Sequence, residues 1–375
     1  MAGILFILPG AMSILALSIL YAEYQDVRFV QAVFFGLKPA IIAIVFEALL
    51  RISNRVLKNN AMTCIAVLSF VAIFFLNVPF PVIVIAAGLI GFLGGRIAPE
   101  KFVVIKGRNN PSDSSEHLNS GQRNADHSED IQLSTVQPSW RRSLRICGLF
   151  LPLWLAPIFA VRFLLGEASV LYKEGIFFSK TAVVTFGGAY SVLAYIGQQA
   201  VEHYQWLQPG EMMDGLGMAE TTPGPLIMVV QFVGFMGAYR NPGTFSPMIA
   251  GILGSLITSW ATFVPCFFWI FLGAPSVERL RGNQLLSAAL SSITAAVVGV
   301  VLNLAIWFSL HTLFRSVSVQ NHAGLRLFVP DWTSVEVSAC FIASMAFLLT
   351  FRWRQGMAVT LTTCCVVGAA LYFLR

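Results

Sequence analysis

The chain reads as an all-α polytopic membrane protein of about ten transmembrane or re-entrant helices, built from two related, inverted repeats that contain broken helices. Three observations predict this. Of the 375 residues, 57% are hydrophobic and only 11% charged, against about 25% charged in soluble proteins; mean hydropathy is +0.75. Apolar runs long enough to cross a bilayer recur along the whole chain. Finally, Pro9 and Pro265, Ile14 and Ile270, Ala32 and Ala288, Ala40 and Ala296, and Val45 and Val301 are each separated by 256 positions. Around them the span, loop and span pattern superposes without a gap.

Residues 3–22 form the first span, followed by a short loop with Glu23, Asp26 and Arg28. Residues 29–50 span again and end in a basic cluster, Arg51, Arg55 and Lys58. Spans at 62–78 and 82–95 are joined by a tight Pro79-Phe-Pro81 turn, and Gly88, Gly91 and Gly95 favour close helix packing. Residues 1–98 therefore read as a truncated first-half membrane repeat. Residues 99–142 are rich in Ser, Asn, Asp, His and Gly, as a flexible linker would be. Lys101, Lys106, Arg108, Arg123, Arg141 and Arg142, with Arg145 just beyond, place that linker on the cytoplasmic side. Residues 143–375 read as a complete second-half repeat. Its spans lie at 144–165, 177–201 (interrupted at Phe186-Gly-Gly188), 209–239, 247–272, 285–310, 335–351 and 357–374. A charged loop with Glu278 and Arg281 and a polar loop with His311, Arg315, His322, Arg326 and Asp331 separate the later spans.

The second copy of the repeat is preceded by two interrupted segments, and the first copy by none in this chain. A parent of two full halves, whose first half lacks its front, is the expectation. If residues 51–58 face the cytoplasm, the loop at 23–28 faces out. Four crossings after the linker then put the matching loop at 278–281 inside. Matching loops on opposite sides are the mark of inverted repeats, provided that neither broken segment is re-entrant.

The stretch Gly215-Leu-Gly-Met-Ala-Glu-Thr-Thr-Pro-Gly-Pro225 is polar among apolar neighbours. Pro223 and Pro225 remove two backbone donors, and Pro225 biases Gly224 away from helical geometry. The apolar run restarts at once, which puts Thr222 or Pro223 near the first turn of a new helix. Such a start offers free N–H groups and a positive dipole end to an anion. Two readings stand: a broken helix at membrane depth lining a binding site, or an ordinary helix start at the membrane surface.

The candidate anion ligands are Gly187, Gly188, Thr221, Thr222, Pro223, Gly224, Pro225 and Gln231, with Ser191 and Gln198 on one helical face together with Tyr195 and Glu202. That polar stripe lines a path or makes helix–helix hydrogen bonds. Lys38 lies in mid-span, where a charge is by default a functional hypothesis; its counterpart in the second copy is Thr294. It attracts an anion, or it is paired or snorkels. Glu47 reads as structural. Glu220 and Asp214 are candidates to carry a coupling proton, and Glu220 is equally a candidate helix cap. The six cysteines form neither CxxC pairs nor Cys/His metal spacings, so no metal and no cofactor is expected. The absence of HExxH, GxSxG and Walker A motifs argues against an enzyme. The net charge of +6 is scattered through loops, which reads as topology control and not as nucleic-acid binding. No basic stretch follows Met1, so no secretory signal peptide is expected.

Val184-Thr-Phe-Gly-Gly-Ala-Tyr190, Gly215-Leu-Gly-Met-Ala-Glu-Thr-Thr-Pro-Gly-Pro-Leu-Ile-Met-Val-Val-Gln-Phe-Val-Gly234, Phe35-Gly-Leu-Lys-Pro-Ala40 and Asn77-Val-Pro-Phe-Pro81 together resemble the chromate ion transporter family. The resemblance implies a secondary transporter exporting chromate, with sulfate as the related oxyanion, from a multi-pass position in the plasma membrane. The driving force expected is the membrane potential or a proton gradient. The expected partners are the oxyanion, the bilayer, and a second copy or partner half. The alternative is a partner-dependent or non-transporting half, because the first half's own glycine pair and Pro-Gly-Pro region are not seen ahead of Gly3.

Overall fold

The computed structural model describes residues 2–102, 140–185, 188–208, 210–273, 283–322 and 325–374. The expectations for Gly187, for residues 103–139 and for Glu278 and Arg281 lie outside the described residues. Residues 99–102 and 140–142, assigned to the linker by composition, are helical.

Helices α1 (Ala2–Tyr24), α2 (Arg28–Val56), α3 (Asn60–Phe74), α4 (Phe80–Ile97) and the short α5 (Pro99–Phe102) form the first part. The second comprises α6 (Trp140–Leu165), α7 (Val170–Val183), α8 (Ala189–Gln198), α9 (Glu211–Thr221), α10 (Val229–Arg240), α11 (Pro247–Gly273), α12 (Gln284–Leu313), α13 (Val337–Phe347) and α14 (Met357–Phe373). Six of them, α1, α2, α4, α6, α11 and α12, are long and apolar enough to cross a membrane by length and composition. Local chemistry fixes several starts. Asn59 caps α3 by accepting from the Met62 N–H, Asn283 caps α12 in the same way, and α4 opens on the Pro79-Phe-Pro81 turn with a proline in its first turn.

The repeat is visible in the packing. Helices α2 and α12 begin at residues 28 and 284, the same 256-residue offset as the sequence matches. The first packs antiparallel on α14: the Tyr372 hydroxyl donates to Gln31 at 2.7 Å, and a Cβ at Gly36 would stand 2.2 Å from the Cys364 carbonyl. The second packs antiparallel on α4, Gly91 and Gly95 of α4 facing Ser292, Ala288 and Leu285. Each copy's second helix is thus held by the other copy's last helix. Asn59, between α2 and α3, donates to the Lys101 carbonyl just beyond α4, so α4 and α2 end on the same side, and α2 and α12 run in opposite directions.

One element departs from the all-helical reading. The polar loop after α12 contains an antiparallel ribbon, β1 (Val317–His322) and β2 (Leu325–Pro330), registered from Val317↔Pro330 to His322↔Leu325. Only Val317–Gln320 and Leu325–Leu327 alternate apolar and polar side chains, a period-two signal too short for a search for long apolar runs to find. Beyond the ribbon, the Thr333 hydroxyl and amide both donate to Asp331 and hold its carboxyl below the usual range.

Candidate functional site

The two interrupted segments do not run on in one direction. Each folds back as a helical hairpin. In the first, Phe177 of α7 lies against Tyr195 of α8 at 5.7 Å between ring centroids. In the second, Gly215 of α9 faces Val229 and Phe232 of the following helix, and Arg240 at the end of α10 grips Glu211 at the start of α9 through two bonds of 2.5 and 2.6 Å. Of the transmembrane and re-entrant forms that the sequence leaves open for these segments, the geometry is that of the re-entrant one. The cause is local: two prolines flank Gly224, whose φ of +128° is open only to glycine at little cost, and the chain reverses there. A hairpin contributes no net crossing, so replacing two single crossings by two hairpins leaves the inferred sidedness of later loops unchanged.

The hairpin tips meet. The Tyr190 hydroxyl in the first turn of α8 bonds the Glu220 carboxyl in the last turn of α9. Helix α1 closes the junction from a third side: a Cβ on its Gly10 would stand 2.8 Å from the Pro223 carbonyl, and one on Gly224 3.1 Å from the Gly10 Cα. Gly10 lies about 12 Å along α1 from Ala2 and about 21 Å from Tyr24 at 1.5 Å per residue. The tips therefore lie well inside the thickness that α1 spans.

The new helix starts later than the sequence suggested. Thr222 caps the C-terminus of α9 in extended geometry, and the next helical residues form a 3-10 turn, Leu226–Met228, preceded by Pro225. Pro225 forbids an earlier start by holding Gly224 out of the α region. The Thr221 hydroxyl donates to the Gly217 and Met218 carbonyls and that of Thr222 to Ala219. Both therefore serve the end of α9 in this conformation. Glu220 is bonded to Tyr190 and does not cap the new helix.

Between the tips and α11 lies a cavity of about 250 Å³, lined by Thr181, Thr185, Gly188, Ile227, Thr262 and Cys266 among others. That is room for several waters. The start of α8 at Gly188 and Ala189 and the turn at Ile227 ahead of α10 border it, and its surface is almost wholly apolar. The hydroxyls of Thr181, Thr185 and Thr262 each donate to the carbonyl four residues back, at 2.8, 2.7 and 2.8 Å.

The hairpin bases are different in kind. Lys38 of α2 pairs with Asp214 of α9 at 3.2 Å, the lysine one-third exposed and the aspartate 2% exposed. The Tyr21 hydroxyl of α1 donates to the same Asp214 oxygen at 2.9 Å. Gln198 is about 15 Å along α8 from Gly188. It donates to Asn77 and Glu202 at 3.2 Å. Arg326 of the ribbon binds the same Glu202 at 2.9 Å and lies over Phe328 at 4.4 Å. Gln231 donates to the Ala11 carbonyl of α1 at 3.0 Å. Ser191 falls in the first turns of α8. Glu47 forms an i,i+4 pair with Arg51, and Thr294 donates to Leu290 within its own helix.

The structure thus joins Lys38 to Asp214 and Glu220 to the α8 start, and it sets Gln198 at the far end from the tips. Sequence reasoning missed the Glu211–Arg240 clamp, Tyr21 as a partner of Asp214, and Glu174. The last was lost to a boundary: with the span drawn from residue 177, Glu174 fell in a loop, whereas α7 begins at Val170.

The family model described as Chromate transporter matches residues 1–92 and 173–370. The chain is 26% identical over 373 residues to the chromate transport protein of Pseudomonas aeruginosa, which covers 98% of this chain and 74% of that protein. It is 23% identical over 302 residues to the chromate transport protein of Cupriavidus metallidurans, covering 80% of this chain and 62% of the relative. It is 22% identical to the probable chromate transport protein of Synechococcus elongatus, covering 63% of that relative. The chain therefore spans less than two thirds of the length of the last two. No solved structure matches it. With the family model matched over both copies of the repeat and both hairpins, on a fold of long apolar helices, this multi-pass membrane protein belongs to the chromate transporter family.

Proposed function

We propose that the chain forms a secondary transporter, or the larger part of one, that exports chromate and the chemically related sulfate across the plasma membrane, without acting as an enzyme. The observation that carries this reading is the meeting of the two hairpin tips, Tyr190 on Glu220, with α1 closing on them at Gly10 and Gly224. A tetrahedral, acceptor-rich dianion leaves water at a cost, and backbone N–H groups and threonine hydroxyls replace that shell without a charged fork. Gly188, Ser191, Thr221, Thr222, Pro223, Gly224 and Pro225 shape the binding region. Gln231 ties it to α1. Lys38, paired with Asp214, holds α9 on α2 instead of meeting the anion.

Energy sets the direction. One charge moved across 100 mV is worth about 2.3 kcal/mol, so a dianion gains roughly 4.6 kcal/mol on leaving a negative interior. At about 1.4 kcal/mol per tenfold, that sustains an outward gradient on the order of a thousandfold. Asp214 and Glu220 are the proposed sites at which a proton gradient adds to this force. The share of the relatives' length that the chain covers favours a second reading: a half that works only with a second copy or a partner half.

Chromate flux from vesicles holding the purified chain, under a potassium diffusion potential with no pH gradient, tests the proposal. Flux that rises with the potential is expected. Protein that gives no flux alone, yet does so when co-reconstituted with a partner half, selects the second reading. No flux under any imposed gradient or partner removes both.

A further inference from the structure

A carboxyl group far from the tips has a site built around it and is used by nothing described so far. Glu174 sits one turn into α7, is 0% exposed, and neither of its side-chain oxygens has a protein hydrogen-bond partner. Every other buried carboxyl among the described residues is bound: Asp214 by Lys38 and Tyr21, and Glu211 by Arg240 and the Gln208 N–H.

The space for it is specific. A Cβ on Gly237 of α10 would stand 2.7 Å from Oε1, and one on Gly254 of α11 3.0 Å from Oε2. Two glycines on two different helices leave room for this carboxyl, and the Trp206 side chain closes over Gly237 beside it, 2.9 Å from the same Cβ position. No charge is supplied from the packed elements. Helix α11 contains no charged residue. Arg240, the one charged residue of α10, is held by Glu211. Arg162 of α6 is held by Glu167, and Arg141, Arg142 and Arg145 lie at that helix's far end. Ahead of Trp206, Glu202 is held by Arg326 and the His203 ring lies against Tyr204. Lys173 and Lys180 are on α7 itself.

An ionised carboxylate with no protein partner, packed this closely between two glycines and Trp206, is costly, which favours the protonated form. A buried acid with no protein partner among apolar helices of a membrane protein is a functional hypothesis by default. Its position adds the connection. Phe178 and Thr181, four and seven residues further along α7, line the cavity at the tips, and seven residues is about 10 Å on one helix face. We propose that Glu174 is a proton-binding coupling site: it holds a proton in this conformation and releases it to water when α7 moves against α10 and α11 in the transport cycle. The inference rests on the transport reading above.

The experiment is chromate flux in vesicles carrying the full chain, with its functional partner if one is needed, measured separately under a membrane potential and under a pH gradient, for the wild type and Glu174→Gln. The expected result is a wild type that responds to both and a variant that loses the response to the pH gradient while still exchanging chromate for chromate. A variant with the wild-type pH response overturns the proposal, as does a wild type driven by potential alone; in both cases the transport reading survives. No flux from the wild type under either force strikes the transport reading itself. Should the variant not fold, the wild type is treated in detergent with a hydrophobic carbodiimide, which attacks protonated buried carboxyls, and mapped by mass spectrometry. An adduct at Glu174 that fades as pH rises supports the proposal, and its absence across the neutral range overturns it.

Discussion

The two ends of the helical hairpins are built from opposite materials. The bases are charged: Glu211 with Arg240, Lys38 with Asp214, and Glu202 with Arg326 all sit there. The tips themselves carry no ion pair among the described residues, and the nearest charges are the Glu47–Arg51 pair of α2, close enough to act on Tyr190 and Glu220. They consist of Gly188, the Pro223–Pro225 turn, threonine hydroxyls turned onto their own helices and one bond from Tyr190 to Glu220. Charge is placed where the hairpins must be fixed, and backbone and small side chains where an anion must be both bound and released. A guanidinium at the tips would hold a dianion too well, since conduction needs binding weak enough to let the ion leave. The bases therefore bear on stability, and the tips on transport.

The sharpest way to break this contrast is at the clamp. Arg240→Ala strands Glu211, 7% exposed at its side chain, in the protein interior. Removal of one partner of a buried pair costs about 3–5 kcal/mol, and the lower end is expected because Arg240 retains 23% exposure. Thermal unfolding in detergent reads this as a large fall in Tm, and Glu211→Ala with Arg240→Ala together should recover part of it. Equal loss in the double variant would assign the effect to packing of the arginine stem and not to the charge left behind.

Lys38→Met comes next. It leaves Asp214 with the Tyr21 hydroxyl alone, an expected loss of about 1–3 kcal/mol. Lys38→Met combined with Asp214→Asn should be milder than Lys38→Met. A single variant as stable as the wild type would mean that the ammonium contributes nothing to fixing α9 on α2.

How much of this contrast was legible in the chain depends on what each feature leaves in a linear pattern. The repeat was legible because its register survives as identities at one offset, and α2 and α12 begin at that offset. The break at 222–225 was legible because proline and glycine have local consequences. That the chain reverses there was not, since hydropathy is the same for a helix that continues and one that turns back. The bases were largely invisible. Lys38 and Asp214 were each singled out, but their pairing joins residues on different helices, and Tyr21 lies 193 positions from the aspartate it bonds. The ribbon was read as a loop because its alternation is short and polar.

Gly224→Ala probes the turn itself. At φ +128° a side chain is strained, and its Cβ would lie 3.1 Å from the Gly10 backbone. Such a residue costs on the order of 1–3 kcal/mol. The expected outcome is a modestly destabilised protein that reaches the membrane with chromate flux lost, because α1 must shift away from the tips. Pro223→Ala, which adds a donor without the strain, should be closer to wild type in Tm and also impaired in flux. Flux equal to wild type in both would move the binding region away from this turn.

The smallest expected effect on stability is at the cavity wall. The Thr185 hydroxyl donates to the Thr181 carbonyl, a bond inside one chain turn whose net value is about 0.5–1.5 kcal/mol. Thr185→Val keeps the shape and removes the hydroxyl, so Tm should move less than in any variant above. Transport should respond out of proportion. An oxyanion entering the cavity needs donors to replace its water, and the Thr185 hydroxyl is free to rotate from the Thr181 carbonyl to the anion, whereas a methyl cannot. The measurement is chromate flux against concentration in vesicles, beside Tm in detergent. A raised half-saturation concentration with Tm nearly unchanged sharpens the division between base and tip. Unchanged flux together with a fall in Tm as large as that of Arg240→Ala would erase it, because the tips would then be structural in the same sense as the bases.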